Sequence, residues 1–154
     1  MELSYEAICF DLFGTLVEED GHAIAGARRA LLSVPRRRCA IVTSCGSQFA
    51  HSLLLTAQLP APPIVISSDD VTRGKPESDG YVLAAKMLAV DPSDILVFED
   101  SLQGISAARA AGMDAIGILS GRVSSYFVDA LYAVDRLDDV LWKTQGDGSI
   151  VVRI

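Results

Sequence analysis

Several short stretches of this chain end an apolar run on groups that can do chemistry. Ala7-Ile8-Cys9-Phe10 stops at Asp11, just before the turn Phe13-Gly14-Thr15. Cys39-Ala40-Ile41-Val42 stops at Thr43-Ser44, and Ile95-Leu96-Val97-Phe98 stops at Glu99-Asp100. A loop after Ile64-Val65-Ile66 carries Arg73-Gly74-Lys75-Pro76. Short apolar runs bounded by turn residues read as buried strands, so these polar groups belong at the strands' carboxyl ends. Asp11 taken alone would read as a turn or helix-capping residue. If Asp11, Glu99 and Asp100 meet, however, they repel one another, so that either their pKa values rise or a cation sits among them. A hard oxygen set with room for water suits Mg²⁺. Thr43, Ser44 and Lys75 would add a hydroxyl, backbone N–H groups and a point charge, donors that suit a phosphoryl group. With Asp11 as an oxygen nucleophile, the chemistry is phosphoryl transfer through an aspartyl phosphate.

The elements between these stretches must bring them together. Helices are expected at 23–33, 47–55, 78–89 and 101–111, with a fifth strand at 115–118 and a short sixth at 131–134. A last helix is expected over Leu137–Trp142 and a possible edge strand over Ile150–Val152. Buried strands alternating with helices predict an α/β fold, a doubly wound three-layer Rossmann-like parallel sheet. In the order 3-2-1-4-5 the first and fourth strands are neighbours at the switch point, where ligands bind beyond the carboxyl ends. That order puts Asp11 beside Glu99 and Asp100.

The bulk properties narrow the setting. A chain of 154 residues, half of them apolar, is expected to form a single domain over 1–154. A net charge of −7 argues against a nucleic-acid partner, and Arg36-Arg37-Arg38 reads as a solvated turn. Cys9, Cys39 and Cys45 are odd in number and lack CxxC spacing, which predicts reduced thiols and a cytoplasmic setting. Neither a leader pattern nor an apolar run of membrane-spanning length is evident, so no membrane partner is expected.

Asp11-Leu12-Phe13-Gly14-Thr15, Ile41-Val42-Thr43-Ser44, Gly74-Lys75-Pro76 and Phe98-Glu99-Asp100-Ser101 with Gly104 resemble, in order and spacing, the four motifs of the haloacid dehalogenase superfamily. Residues 70–113 are most similar to its sugar-phosphate phosphatase and β-phosphoglucomutase branch. The resemblance implies Asp11 as nucleophile, Thr43 as phosphate ligand with the Ser44 amide nearby, and Lys75 as the charge that steadies the phosphoaspartate. It further implies that Phe13, Gly14 and Thr15 line the substrate site. Mg²⁺ would be held by Asp11, the Phe13 carbonyl and Asp100, with Glu99 bound directly or through water.

Two departures from the family pattern shape the expected activity. The family's phosphatases carry an Asp two residues after the nucleophile as general acid; here Phe13 stands there. Proton transfer is worth about 10²–10⁴ in rate, so acyl or aryl phosphates, whose leaving groups need no proton, should be better substrates than alkyl ones. Glu18, Glu19 and His22 in the next turn are candidates to supply an acid. The aromatic-Gly-Thr form also resembles the metal-free dehalogenase branch, against which Glu99-Asp100 stand. Secondly, only about 28 residues separate Thr15 from Thr43, so the helical cap domain that related enzymes insert there is absent. An open crevice points to a large phosphorylated substrate or a second copy of the chain as its cover. A scaffold that binds Mg²⁺ and phosphate, or a protein partner, without turnover is the reading of a different class.

Overall fold

The computed structural model describes residues 1–154. In chain order the elements are β1 (Glu2–Tyr5), β2 (Ala7–Phe10), α1 (Ala27–Ser33), β3 (Cys39–Val42), α2 (Ser47–Thr56), β4 (Ile64–Ile66) and α3 (Asp79–Leu88), followed by β5 (Ile95–Glu99), α4 (Leu102–Ala110), β6 (Asp114–Ile118), β7 (Tyr132–Val134), β8 (Leu141–Thr144) and β9 (Ile150–Arg153). Six strands form one sheet in the order β4-β3-β2-β5-β6-β7, parallel throughout. This is the expected 3-2-1-4-5 order, extended by the short sixth strand.

The alternation of side chains along each strand sorts the core into two layers. Ile8, Phe10, Ile41, Leu96 and Phe98 pack to one face with residues of α1, α2 and the short strands β1 and β9. Ala7, Cys9, Ala40, Val97 and Ala115 face the other way, against Tyr81, Ala84 and Ala85 of α3 and Ile105, Ala107 and Ala108 of α4. Small residues on that second face let two helices lie close to the sheet. Phe10, Phe98 and Trp142 form an aromatic group on the first face, with centroids 5.1–5.8 Å apart. Truncating either buried phenylalanine to alanine should cost about 3–5 kcal/mol.

Three local expectations are corrected. The helix expected from Ala23 begins at Ala27, because residues 18–22 fold first into a turn: Glu18 N donates to the His22 carbonyl at 2.8 Å, and Val17 bridges to Ala23. Gly26, at φ +88°, then turns the chain into α1, and a Cβ there would meet the Asp138 backbone at 2.6 Å. The helix expected over Leu137–Trp142 is a single 3₁₀ turn (Leu137–Asp139) that runs into β8. There Trp142 pairs with Val152 and completes the aromatic group, so ladder bonds and ring packing override helical spacing. The strand near the C-terminus is not at an edge: β9 lies in the middle of a three-stranded antiparallel sheet, β1-β9-β8.

The segment between Thr15 and Thr43 holds only the 18–22 turn, α1 and a short 3₁₀ turn (Arg36–Arg38) ahead of β3, with no inserted domain. The carboxyl ends of β2, β3 and β5 are therefore left open.

Candidate active site

Adjacent parallel pairing does the positioning. Phe10 is in register with Phe98 and Ile41, so Asp11 comes level with Glu99 and with Val42, and Thr43 follows one residue further along. The Asp11 N–H extends the ladder by donating to the Phe98 carbonyl at 3.0 Å, and the Thr43 N–H donates to the Ile66 carbonyl at 2.9 Å. Oxygens of Asp11, Glu99 and Asp100 lie within 4.8 Å of one another.

Lys75 reaches this group from the loop before α3. Its Nζ donates to Asp11 Oδ1 at 2.8 Å, to the Val42 carbonyl at 3.0 Å and to Glu99 Oε1. The ammonium is buried with all three donors used, so it is not a solvated side chain. The other Asp11 oxygen, Oδ2, accepts from the Thr15 hydroxyl at 3.3 Å. Thr15 is fully buried and thus faces Asp11 rather than the solvent.

Glu99 is fully buried as well. Besides Lys75, its Oε1 accepts from the Tyr81 hydroxyl at 2.6 Å, and its Oε2 from the Ser101 hydroxyl at 3.4 Å. Its carboxyl group fills the space a side chain at Gly104 would occupy: a Cβ there would sit 1.9 Å from the Glu99 carboxyl carbon. The cap of α4 is Ser101, whose hydroxyl accepts from the Gly104 N–H at 3.0 Å, which leaves the Asp100 carboxylate free of capping duty. Asp100 is partly buried and leans over Gly14, where a Cβ would lie 2.0 Å from Oδ2.

The electrostatics follow from this crowding. Burial, and then the charge of Asp11, push the Glu99 carboxyl up to about 8. Burial and the neighbouring Asp11 carboxyl push Asp100 up to about 7. For Lys75, burial works against the charged form, but Asp11 and Glu99 outweigh it and raise the ammonium above its usual value. Tyr81 is held well above the ordinary phenol range, chiefly by burial and then by Glu99, so its hydroxyl stays a donor. If all three carboxylates were ionised they would outnumber the one ammonium by two charges, an excess that one divalent cation would balance.

In front of the carboxylates opens a cavity of about 500 Å³ lined by Asp11, Phe13, Thr43, Ser44, Cys45, Phe49, Lys75, Asp100 and Ser101. That volume lies within the range of small-molecule sites. The Thr43 hydroxyl sits 3.1 Å from Cys45 Sγ and accepts from the Cys45 N–H at 3.3 Å. Gly14 and Asp100 line a second, adjoining cavity with Glu18, Glu19, Asp20 and Arg122. Glu18 and Glu19 line that cavity and not the one at Asp11, and His22 is an exposed partner of Asp20 at 2.9 Å. No candidate acid from that turn lines the Asp11 cavity.

Three participants were not apparent from the residue pattern: Tyr81, Phe49 and Arg122. Tyr81 lies six residues after Lys75 on the sheet-facing side of α3, and a buried tyrosine there calls for a hydroxyl partner. Phe49 gave no signal beyond an apolar residue in a helix. Arg122 donates to the Asp100 carbonyl at 2.8 Å and stacks on Tyr126, with 4.7 Å to the ring centroid.

Comparison with known proteins supports the same architecture. Residues 20–112 match the family described as haloacid dehalogenase-like hydrolase, a span that includes Thr43, Lys75, Glu99 and Asp100 and begins after Asp11. The chain is 36% identical over 107 residues to validoxylamine A 7'-phosphate phosphatase of Streptomyces hygroscopicus subsp. limoneus, covering 69% of this chain and 50% of that protein. It is 30% identical over 114 residues to hexitol phosphatase A of Escherichia coli (strain K12), covering 74% and 53%. The chain thus spans about half the length of these curated relatives. The crystal structure of a HAD family hydrolase from Deinococcus radiodurans R1, with bound phosphate and sodium, superposes with a TM-score of 0.79 over 88% of this chain and 93% of that one; at 20% identity this shows the fold. No helix is long and apolar enough to cross a membrane.

Proposed function

Because the chain belongs to the haloacid dehalogenase-like hydrolase family, we propose that it is a Mg²⁺-dependent phosphohydrolase that works through an aspartyl phosphate on Asp11. The observation that carries this reading is the Asp11 carboxylate itself, buried at the floor of an open cavity, oriented by Lys75 and Thr15, and flanked by Asp100.

The donor set fits Mg²⁺. Asp11 and Asp100 offer hard oxygens, the space beside Asp100 is kept by the missing side chain of Gly14, and the Phe13 carbonyl accepts no hydrogen bond in its turn. These three groups would hold the ion. Glu99, whose oxygens accept from Lys75, Tyr81 and Ser101, fixes the ammonium and would meet the ion directly or through water. When bound, Mg²⁺ supplies positive charge against the oxygens of the transferring phosphoryl group.

An Asp11 oxygen attacks phosphorus in line, and the bond to the leaving oxygen breaks with its electron pair. Lys75 offsets charge at the acyl phosphate that results, while Thr43 and the Ser44 amide take phosphoryl oxygens. Water then attacks phosphorus, its protons remain on the released phosphate, and the Asp11 carboxylate is restored. Phe13 gives no proton to the leaving group. Acyl and aryl phosphates, which depart without one, therefore react faster than alkyl phosphates.

Turnover of p-nitrophenyl phosphate or acetyl phosphate with Mg²⁺ tests this. Asp11→Asn should lower the rate on the order of 10⁴-fold or more, as loss of a covalent nucleophile does, and EDTA should abolish it. Equal rates for both proteins would remove the nucleophile assignment. Phenylalanine at position 13 favours one second reading, a scaffold that binds Mg²⁺ and phosphate without turnover. That reading predicts thermal stabilisation by Mg²⁺ and silence on acyl and aryl phosphates alike. Halide release from 2-chloropropionate that survives EDTA would instead favour a metal-free dehalogenase.

A further inference from the structure

We propose that Phe13 and Phe49 form a platform for a planar aromatic leaving group, which makes aryl phosphates the substrate class of this site; the inference rests on the phosphohydrolase reading above. Both rings line the cavity that contains Asp11, Thr43 and Lys75. Phe13 is 40% exposed and Phe49 is 56% exposed. Neither belongs to the two apolar core clusters, and neither pairs with another aromatic ring. They come from different elements, the turn after β2 and the first turn of α2, yet both line the one cavity that Asp11 lines.

Scattered surface hydrophobics need no explanation, but two unpartnered rings on the walls of one reactive cavity do. The rest of that wall offers Ser44, Cys45 and Ser101, too few polar groups to satisfy the hydroxyls of a polyol. A ring laid against phenylalanine gains from offset or edge-on stacking, whereas a polyol buried there would leave hydroxyls unpaired. The chemistry at position 13 points to the same class independently. No carboxyl group other than Asp11 and Asp100 lines the cavity, so the favoured leaving group is one that departs as an anion, as a phenolate does.

Competitive binding of inorganic phosphate, methylphosphonate and phenylphosphonate in Mg²⁺, to the whole chain and to its Phe49→Ala variant, tests the platform. Phe49 is exposed, so its truncation leaves the core intact. Phenylphosphonate should bind the unaltered chain roughly tenfold tighter than methylphosphonate, and that ratio should fall to about twofold in Phe49→Ala. Equal binding of the two phosphonates, or a ratio unchanged in the variant, overturns the platform while leaving the phosphohydrolase reading in place. Failure of all three anions to bind removes that reading, and the platform with it. Comparing kcat/KM for phenyl phosphate with that for a phosphotyrosine peptide tells a free ring from a protein-borne one, and a fall in both on Phe49→Ala, with acetyl phosphate turnover unchanged, supports the platform. Equal changes on all three substrates, or none, overturn it.

Discussion

The two sides of Asp11 are built on opposite principles. Behind it, Lys75, Glu99 and Tyr81 are buried and joined by charge-assisted hydrogen bonds that use the ammonium's three donors and both Glu99 oxygens. In front of it, Phe13 and Phe49 are exposed and touch no other aromatic ring, and Ser44 stands at an open cavity mouth. Groups that must hold a fixed charge geometry through the reaction are locked, because reorganising them at the moment of transfer would cost rate. Groups that only need to meet a substrate are left free. The charged half is thus preorganised and the open half is not, so that contacts in the cavity can vary without disturbing Asp11.

That contrast can be broken or sharpened experimentally. The largest effect should come from Lys75→Met, which strands two buried carboxylates; a loss of about 3–5 kcal/mol in urea denaturation is expected, alongside lost turnover. A loss under about 1 kcal/mol would show that the rear network is not a locked unit. On the open side, Phe13→Asp should leave stability within about 1 kcal/mol yet raise alkyl phosphate turnover on the order of 10²-fold, read as a flatter dependence of rate on leaving-group pKa. No gain would mean that proton transfer does not limit the reaction. Tyr81→Phe removes one donor to Glu99 and should cost about 1.5–3 kcal/mol of stability in the same denaturation measurement.

The smallest effect is a pH dependence. Glu99, raised to about 8, and Asp100, raised to about 7, bind protons in the folded chain that the unfolded chain has released above its ordinary carboxyl range. Their contribution is complete below about pH 4 and is lost as pH rises toward 8. Melting in EDTA should therefore fall by a few degrees between pH 5 and pH 8, relative to a Glu99→Gln variant. Stabilisation by Mg²⁺ should grow over the same window. A shift of the opposite sign would mean that the carboxylates are not crowded in solution.

Much of the frame was legible because a strand buried on both faces must be apolar throughout. The runs ending at Asp11, Thr43 and Glu99 announce both their depth and their endpoints, and the right-handed crossover rule does the rest. The small antiparallel sheet was harder to read. Glu2-Leu3-Ser4-Tyr5 is half polar, and Leu137 to Trp142 carries apolar residues at helical spacing, so only the ladder to β9 and the ring packing of Trp142 decide their conformation. In the site, charged residues at strand ends stood out. Tyr81 did not, since its role depends on a contact with Glu99 across two elements. Phe49 looked like any apolar helix residue until its exposure beside Asp11 was visible.

Gly14 and Gly104 bracket the acidic pair, one beneath Asp100 and the other against Glu99, each at a distance no methyl group could share. Neither glycine carries a functional atom, yet each defines a socket that only an unsubstituted backbone can provide. Intolerance to change thus extends beyond the acids to their smallest neighbours: a single added carbon at either position would push a carboxylate out of its place.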